Sequence, residues 1–290
     1  MPSVSILMSI YKESIDWATD SINSILQQTF SDIELIIILD NPEYSAIIPV
    51  LNSISGADNR LKYYVNDANV GLAESMNRAF QYSSGDYIAR MDSDDISFPS
   101  RIEKEINYLN RGRYDLIGSN VEYIGNRLGC SSLEIDDRSI NREILYSNPL
   151  PHPTWLMRRI VFETLGGYRS IGPAQDYEFI SRVVRYGFKI GLMKEALVKY
   201  RVSPYNTSSS SRPMQIYNLT RVQMSMKYSR DYYSINPPVL NFFLYITESS
   251  LRFIEYSGMR DSKLRARFLR YNFLSLYCKV YRVLSKYFSR

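Results

Sequence analysis

The chain has 290 residues, of which 45% are hydrophobic and 13% aromatic, so it can bury a large core and does not belong to the intrinsically disordered class. Its two cysteines, Cys130 and Cys278, lie far apart, which excludes a CxxC redox pair and favours a reducing compartment. The single histidine, His152, excludes metal sites that need two histidine ligands. Catalysis is therefore expected to depend on carboxylates.

The net charge of +5 is unevenly distributed. Residues 213–290 contain 13 Lys and Arg against 4 Asp and Glu, so this segment carries +9 and residues 1–212 carry −4. The sequence shows neither a signal-peptide pattern nor an uninterrupted apolar run of about 18 residues, so no membrane span is predicted. A basic segment of this kind is typical of contact with an anionic surface, either a membrane or a nucleic acid.

Strand and helix patterns alternate along the first hundred residues. The predicted strands lie at 4–10, 34–39, 61–65 and 86–91, and the predicted helices at 15–28, 44–53 and 71–83. This alternation indicates an α/β fold with a doubly wound, mostly parallel central sheet and helices on both faces. Such sheets bind ligands beyond the carboxyl ends of their strands, where Tyr11, Asp40 and Asp92 are found.

The pattern after residue 100 is less regular. It predicts a helix at 101–110, a strand near 116–123, turns at 148–153 and a helix at 175–186. A serine run followed by Pro213 indicates a boundary. We therefore expect a domain at 1–212, followed by a basic, aromatic, helical appendage at 213–290.

Three carboxylates follow the predicted strand at 86–91, in the sequence Asp92-Ser93-Asp94-Asp95. Successive side chains of an extended chain point to opposite faces, so we expect Asp92 and Asp94 to share one face and to hold a divalent cation. Carboxylate oxygens suit Mg²⁺ or Mn²⁺ that also binds a diphosphate. An acidic cluster alone is more often a solvated turn, but its place at a strand end favours a metal site.

This acidic sequence is one of several motifs in a fixed order. They are Val4-Ser5-Ile6 through Tyr11, Glu34 through Asp40, Asn69-Val70-Gly71 with Asn77-Arg78, Gly85 through Ile88 with Asp92 through Asp95 and Pro99, Gly166-Gly167-Tyr168, and Gln175-Asp176-Tyr177-Glu178. In these motifs the chain resembles the family 2 glycosyltransferases, which are inverting enzymes with the Rossmann-like GT-A fold. The resemblance implies that residues 1–100 form a nucleotide-binding half and residues 101–212 an acceptor half.

The resemblance implies a role for each residue on the donor side. Tyr11 would stack on a pyrimidine, an interaction worth about 1–3 kcal/mol per base. Asp40 would accept a hydrogen bond from a base imide N–H, and Arg201 would pair with the diphosphate. Asn69 and Arg78 complete the nucleotide-sugar site. Considered alone, Tyr11 is also compatible with a core position, Asp40 with a helix N-cap, and Arg201 with a surface ion pair.

The resemblance also implies the metal ligands and the catalytic base. Asp92 and Asp94 match the DxD pair of the family, with Asp94 the better ligand for Mn²⁺ or Mg²⁺. Asp176 matches the base that takes the proton of the acceptor hydroxyl, although it would also serve as a helix N-cap. On the acceptor side, His152 lies in the turn before the acceptor site, where a structural role is equally open. Gln175 stands where the family usually has an acid.

Together these features predict a non-processive, metal-dependent inverting hexosyltransferase. It would move a sugar from a nucleotide-diphosphate donor, UDP-linked or else dTDP-linked as in a rhamnosyl transfer, to a glycan or lipid-linked saccharide during O-antigen or capsule synthesis. We expect it in the cytoplasm at the inner face of the membrane, with 213–290 either contacting anionic lipid or packing on the protein or on a second copy in a homo-oligomer.

Two other functions are compatible with parts of the sequence. A nucleotidyltransferase would need a glycine-rich loop after the first strand, whereas the sequence there is Tyr11-Lys12-Glu13-Ser14. A catalytically inactive GT-A-like module that binds a membrane or nucleic acid is permitted by the basic tail. It is disfavoured because Asp92, Asp94 and Asp176 are all present.

Overall fold

A computed structural model describes residues 2–133, 139–145, 147–203 and 212–227 of the chain. The chain divides into two compact units, Met1–Ser210 and Ser211–Arg290. The elements of the first unit are, in order, β1 (Val4–Ile10), α1 (Ile15–Leu26), β2 (Ile33–Leu39), a 3-10 helix (Ser45–Ile47), α2 (Ile48–Ala57), β3 (Leu61–Val65), α3 (Leu72–Gln81), β4 (Tyr87–Asp92), β5 (Ile96–Ser97), α4 (Arg101–Gly112), β6 (Leu116–Gly125), β7 (Gly129–Cys130), α5 (Ile140–Ile144), a second 3-10 helix (His152–Thr154), β8 (Leu156–Arg158), α6 (Arg159–Leu165), α7 (Gln175–Arg185) and β9 (Ile190–Val202).

The described strands form one nine-stranded sheet in the order β3-β2-β1-β4-β8-β6-β9-β5, with β7 paired to β6. Strands β3, β2, β1 and β4 are parallel, as predicted. Strand β8 runs antiparallel to both β4 and β6, and β5 is antiparallel to β9. The sheet is thus parallel through the predicted nucleotide-binding half and mixed beyond it. The strands β8, β5 and β7 were not predicted, because two or three residues are too few to show a pattern in the sequence.

Strands β1 and β2 are buried on both faces. Ile6 and Met8 of β1 belong to one hydrophobic cluster with Ile22 and Ile25 of α1. The alternate side chains of β1 point to the opposite face, where α3 packs on β1 and β2. Burial on two faces explains why all seven residues of β2 are buried and why all of them except Glu34 are apolar. The resulting apolar run made this strand easy to predict.

The strand register aligns the carboxyl ends of β1, β2 and β4. Ile10 pairs with Leu39, and Asp92 is aligned with Ser9. Tyr11 and Asp40 therefore lie one residue past their strands, and the backbone N–H of Asp40 donates to the carbonyl of Ile10 at 2.7 Å. The structure thus places Tyr11, Asp40 and Asp92 along one edge of the sheet.

Of the second unit, the structure describes one helix, α8 (Arg212–Lys227). The remainder of the predicted appendage at 213–290 lies outside the described residues, and its proposed contact with an anionic membrane stays a prediction, as does the division at residue 212. None of the helices in the described ranges has both the length and the apolar character needed to cross a bilayer.

Candidate active site

The chain turns immediately after β4, and this turn brings three carboxylates together. Asp92 ends β4, Asp94 lies in the turn, and Asp95 precedes β5. One oxygen of each lies within 4.8 Å of the others. The expectation that Asp92 and Asp94 share one face of an extended chain is wrong, because the strand ends at Asp92; the turn gathers the acids, not strand alternation.

Asp95 is the acid to which the sequence analysis gave no role. Its side chain is buried, and Oδ1 accepts a hydrogen bond from the backbone N–H of Arg201 at 2.7 Å. Oδ2 is buried and has no hydrogen-bond partner among the described residues. Burial, followed by the charges of Asp92 and Asp94, raises the pKa of Asp95 well above its ordinary value. An orphaned carboxylate oxygen in a set of three hard donors fits a divalent cation such as Mg²⁺ or Mn²⁺.

Asp94, like Asp92, is partly exposed. Burial raises the pKa of Asp94 to about 7, the charges of Asp92 and Glu13 add to this rise, and the positive charge of Arg90 opposes it. Carboxylates that repel one another in this way are stabilised in their ionised forms by a nearby cation. The acidic turn, defined here as residues 92–95, is therefore an electrostatically suitable place for a metal ion.

A buried guanidinium lies beside the acidic turn. Arg90 is 3% exposed and stands two residues before Asp92 on the same face of β4. Its Nη2 forms an ion pair with Asp92 Oδ1, while its Nε and Nη1 are buried without partners among the described residues. Burial opposes the charged form, but Asp92 outweighs it, and the pKa of Arg90 is raised. Arg90 therefore keeps a fixed positive charge against Asp92, a role that a single arginine in an apolar strand could have suggested.

A second buried ion pair supports β4 from the helix α4. Arg101 and Glu105 are both 0% exposed, with Nε to Oε1 at 3.0 Å. Arg101 also donates from Nη2 to the carbonyl of Arg90 at 2.9 Å, which fixes the backbone just before the acidic turn. Burial raises the pKa of Glu105 to about 7 even though Arg101 lowers it.

Arg201 lies on the other side of the acidic turn, at the end of β9. Its Nε donates to the carbonyl of Asp94 at 2.8 Å, and its guanidinium lies 4.6 Å from the centre of the Trp17 ring. Together with the N–H bond to Asp95, these contacts attach β9 to the turn. Arg201 thus lies beside the acidic turn, and its pairing with a diphosphate stays a prediction.

Tyr11 and Asp40 differ sharply in exposure. The Tyr11 side chain is 37% exposed, so the core interpretation is wrong, and the Lys12 ammonium lies 5.4 Å from its ring centre. Asp40 is 3% exposed and its carboxylate accepts three hydrogen bonds, from Asn66 Nδ2 at 2.7 Å and from the N–H groups of Val70 and Gly71 at 2.9 and 2.8 Å. Asp40 therefore holds the loop after β3 and is not a helix N-cap; its contact with a base stays a prediction.

Asn69 lies in the loop after β3, and Arg78 lies on the helix that follows it, α3. Asn69 is exposed and accepts a hydrogen bond from Gly71 N–H at 3.0 Å, which closes a short turn. Arg78 Nη1 donates to the carbonyl of Val65 at 3.0 Å and to Asn66 Oδ1. Both residues thus organise the loop that borders Asp40, and their contact with a nucleotide-sugar stays a prediction.

Asp176 lies in the first turn of α7. The helix is capped by Ala174, with φ 79° and no side-chain bond, so the interpretation of Asp176 as the N-cap is wrong. Asp176 Oδ2 accepts a hydrogen bond from Asn148 Nδ2 at 2.8 Å. The preceding residue, Gln175, is partly exposed, and its acceptor role stays a prediction.

The Tyr168 hydroxyl is influenced by the charges of both Asp176 and the acidic turn. Burial raises the pKa of the Tyr168 hydroxyl, Arg90 opposes this rise, and the charges of Asp176 and Asp92 add to it. His152 Nε2 lies 2.8 Å from this hydroxyl. Burial, together with the charge of Arg90, holds the pKa of His152 well below its ordinary value, so the ring is neutral. His152 also packs edge-on against the fully buried ring of Trp155, which supports the structural role; its acceptor role stays a prediction.

The Gly166-Gly167-Tyr168 sequence is fixed by the side chain of Asn77. Asn77 Nδ2 donates to the Tyr168 carbonyl at 2.9 Å, and the Tyr168 N–H donates to Asn77 Oδ1 at 2.8 Å. Gly167 has φ 78°, and a Cβ there would lie 2.4 Å from Asn77 Oδ1. A glycine is therefore required at 167 for the backbone to approach Asn77 and hold Tyr168 in place.

This arrangement coincides with a known family. The profile of the family described as Glycosyl transferase family 2 matches residues 5–166. The chain belongs to glycosyl transferase family 2. This confirms the resemblance drawn from the motifs.

Relatives of this family 2 glycosyltransferase include two bacterial glycosyltransferases, one of which is named for O-antigen biosynthesis. It is 33% identical over 205 residues to the putative glycosyltransferase EpsE of Bacillus subtilis, covering 69% of this chain and 73% of the relative. It is 30% identical over 213 residues to the O-antigen biosynthesis glycosyltransferase WbnJ of Escherichia coli, covering 72% and 83%.

Solved structures show that this family 2 glycosyltransferase has the GT-A fold. S. aureus TarS 1-349 in complex with UDP-GlcNAc matches with a TM-score of 0.64 at 17% identity, over 79% of this chain and 67% of that chain. The mannosyltransferase PcManGT from Pyrobaculum calidifontis, in complex with GDP-Man and Mn²⁺, matches with a TM-score of 0.61 at 13% identity, over 98% and 83%. This chain spans 40% of the longer TarS structure.

Proposed function

We propose that the protein transfers a sugar from a nucleotide-diphosphate donor to a hydroxyl of a glycan or lipid-linked saccharide, with inversion at the anomeric carbon, in the synthesis of a surface polysaccharide. The observation that carries this proposal is the acidic turn, whose three carboxylates converge at the carboxyl end of β4. The O-antigen name of WbnJ and the UDP-GlcNAc bound to TarS support the pathway and a UDP-linked donor.

On the donor side, Asp94, Asp92 and Asp95 would hold Mn²⁺ or Mg²⁺. When bound, such an ion neutralises charge on the departing diphosphate, which contributes several kcal/mol to lowering the barrier. The orphaned Asp95 Oδ2 and the Mn²⁺ of PcManGT support the choice of ligands and metal. The exposed ring of Tyr11, at the same edge of the sheet, offers a stacking surface for the base.

On the acceptor side, Asp176 would act as the general base. The acceptor oxygen forms a bond to the anomeric carbon, the bond from that carbon to the diphosphate oxygen breaks, and the hydroxyl proton passes to the Asp176 carboxylate. One displacement inverts the configuration, and no covalent enzyme intermediate is needed.

The proposal is tested by two substitutions that separate binding from turnover. Asp94→Ala should abolish the Mn²⁺-dependent rise in melting temperature that UDP-sugars produce, because a ligand stabilises the fold by mass action. Asp176→Asn should keep that rise and lose at least 100-fold in turnover, in line with the usual 10²–10⁴-fold value of general-base catalysis. Asp86→Ala, at the exposed opposite end of β4, is the matched control. Full activity of Asp94→Ala would refute the metal assignment, and unchanged turnover of Asp176→Asn would mean that another residue is the base.

A further inference from the structure

The two oxygens of the Asp176 carboxylate have different surroundings. Oδ2 accepts the hydrogen bond from Asn148 Nδ2 at 2.8 Å. Oδ1 makes no hydrogen bond or ion pair within the described part of the chain, and the side chain is partly exposed. One oxygen is thus held by the protein while the other is available to a ligand.

The orientation of the Asn148 amide is determined by its neighbours. Asn148 Oδ1 accepts a hydrogen bond from the backbone N–H of Leu150 at 3.0 Å. A backbone N–H can only donate, so the amide oxygen must face Leu150 and the NH₂ group must face Asp176. The amide cannot rotate by half a turn without placing two donors against each other and an oxygen against a carboxylate. Asn148 therefore presents a donor, and never an acceptor, to Asp176.

Both partners of this hydrogen bond lie next to buried residues that are themselves hydrogen-bonded. Leu150 is 1% exposed, and its carbonyl accepts a hydrogen bond from Trp155 Nε1 at 3.3 Å, while Trp155 itself is fully buried. At the start of α7, the buried Tyr177 donates from its hydroxyl to the carbonyl of Ile144 at 2.7 Å. The helix that carries Asp176 is therefore joined to this part of the chain by two hydrogen bonds, one from Tyr177 to Ile144 and one from Asn148 to Asp176 itself.

We propose that Asn148 is a positioning residue for the catalytic base: it holds Oδ2 of Asp176 and so directs Oδ1 toward the acceptor hydroxyl. This inference rests on the proposed function, since it presupposes that Asp176 takes the acceptor proton. A carboxylate on a single-bonded side chain samples several rotamers, and a base that is misplaced by about 1 Å loses of the order of 10²-fold in rate. Asn148 acts through Asp176 and does not itself touch the reacting atoms.

Two substitutions test this role. Asn148→Asp is isosteric and keeps the acceptor for Leu150 N–H, but it replaces the donor to Asp176 by a carboxylate oxygen. Asn148→Ala removes both bonds. We expect both variants to lower kcat at least tenfold, while KM for the UDP-sugar and the rise in melting temperature that Mn²⁺ and UDP produce stay close to those of the wild type. Asn126→Ala, an exposed asparagine, is the control. The assay is UDP release from UDP-GlcNAc, UDP-glucose and UDP-galactose, with water as the acceptor.

A double substitution separates positioning from a structural role. In the Asp176→Asn background, Asn148→Ala should have no further effect on the residual rate, because the two residues act as one unit. A kcat within twofold of wild type for Asn148→Asp would overturn the inference, and so would a full additional loss in the double variant. If Asp176→Asn itself retains wild-type turnover, the base assignment fails instead, so the two failures are distinguishable. Should Asn148→Ala not fold, Asn148→Asp decides the question alone.

Discussion

Substitution of Gly167 by alanine tests whether Asn77 holds the Gly166-Gly167-Tyr168 sequence. Any alanine at φ 78° costs about 1 kcal/mol in backbone conformation. Its Cβ would also lie 2.4 Å from Asn77 Oδ1, so Asn77 must move and give up its two hydrogen bonds to Tyr168. Each bond contributes about 1 kcal/mol, and we therefore expect a total loss of about 3 kcal/mol.

The neighbouring glycine provides a matched control. Gly166 has φ 67°, and a Cβ there would meet no atom within 4 Å, so Gly166→Ala should cost only the backbone term of about 1 kcal/mol. Urea unfolding followed by tryptophan fluorescence measures both variants. A double-mutant cycle sharpens the test: in the Asn77→Ala background Gly167→Ala can no longer disrupt the bonds to Tyr168, so its cost should fall by about 2 kcal/mol. What remains is the backbone term and the close contact with Phe162 Cε1 at 3.1 Å. Equal destabilisation by the two glycine substitutions would refute the close approach to Asn77.

Two pH-dependent results are expected from groups outside the acidic turn. The pKa of His152 is held well below 6.5, and His152 is the single histidine of the chain, so its imidazole NMR signals should show a neutral ring at pH 6.5. The free energy of unfolding should fall as the pH is lowered further, because the unfolded state then binds a proton that the folded state does not. Half-protonation at pH 6.5 would contradict the burial of the ring. The pKa of Glu105 is raised from 4.5 to about 7, so its contribution is present below pH 4.5 and is lost as the pH rises toward 7, by about 3 kcal/mol. Glu105→Gln should lack this slope in urea unfolding measured between pH 5 and 8, and an unchanged slope would assign it to another group.

The parallel half of the fold was predictable because burial on both faces leaves a continuous apolar run, as in β2, and because helices of ordinary length separate such runs. The strand β8 was missed because three residues carry no periodicity. Asp92 and Asp94 were correctly brought together, but for the wrong reason, since the chain turns at Asp94.

Other features of the site depend on contacts between distant parts of the chain. Asn148 and Asp176 are 28 residues apart, and their hydrogen bond follows from the packing of α7. The hydrogen bond from the Arg201 N–H to Asp95 joins residues that are 106 positions apart. No local pattern encodes such pairs. The sequence therefore indicated which carboxylates belong to the site, but not which residues bond to them. An isolated arginine such as Arg90, inside an apolar strand and two residues before an acid, is the one local signal that was available.

The acidic turn is proposed to bind a divalent cation together with a nucleoside diphosphate. Titration of the protein with Mn²⁺ in the presence of UDP, with free Mn²⁺ measured by electron paramagnetic resonance, decides whether it does. We predict one Mn²⁺ bound per chain in the wild type and in Asp86→Ala, with at least tenfold weaker binding in Asp94→Ala. Equal Mn²⁺ binding by the wild type and Asp94→Ala, or none by either, would show that the acidic turn is not the metal site.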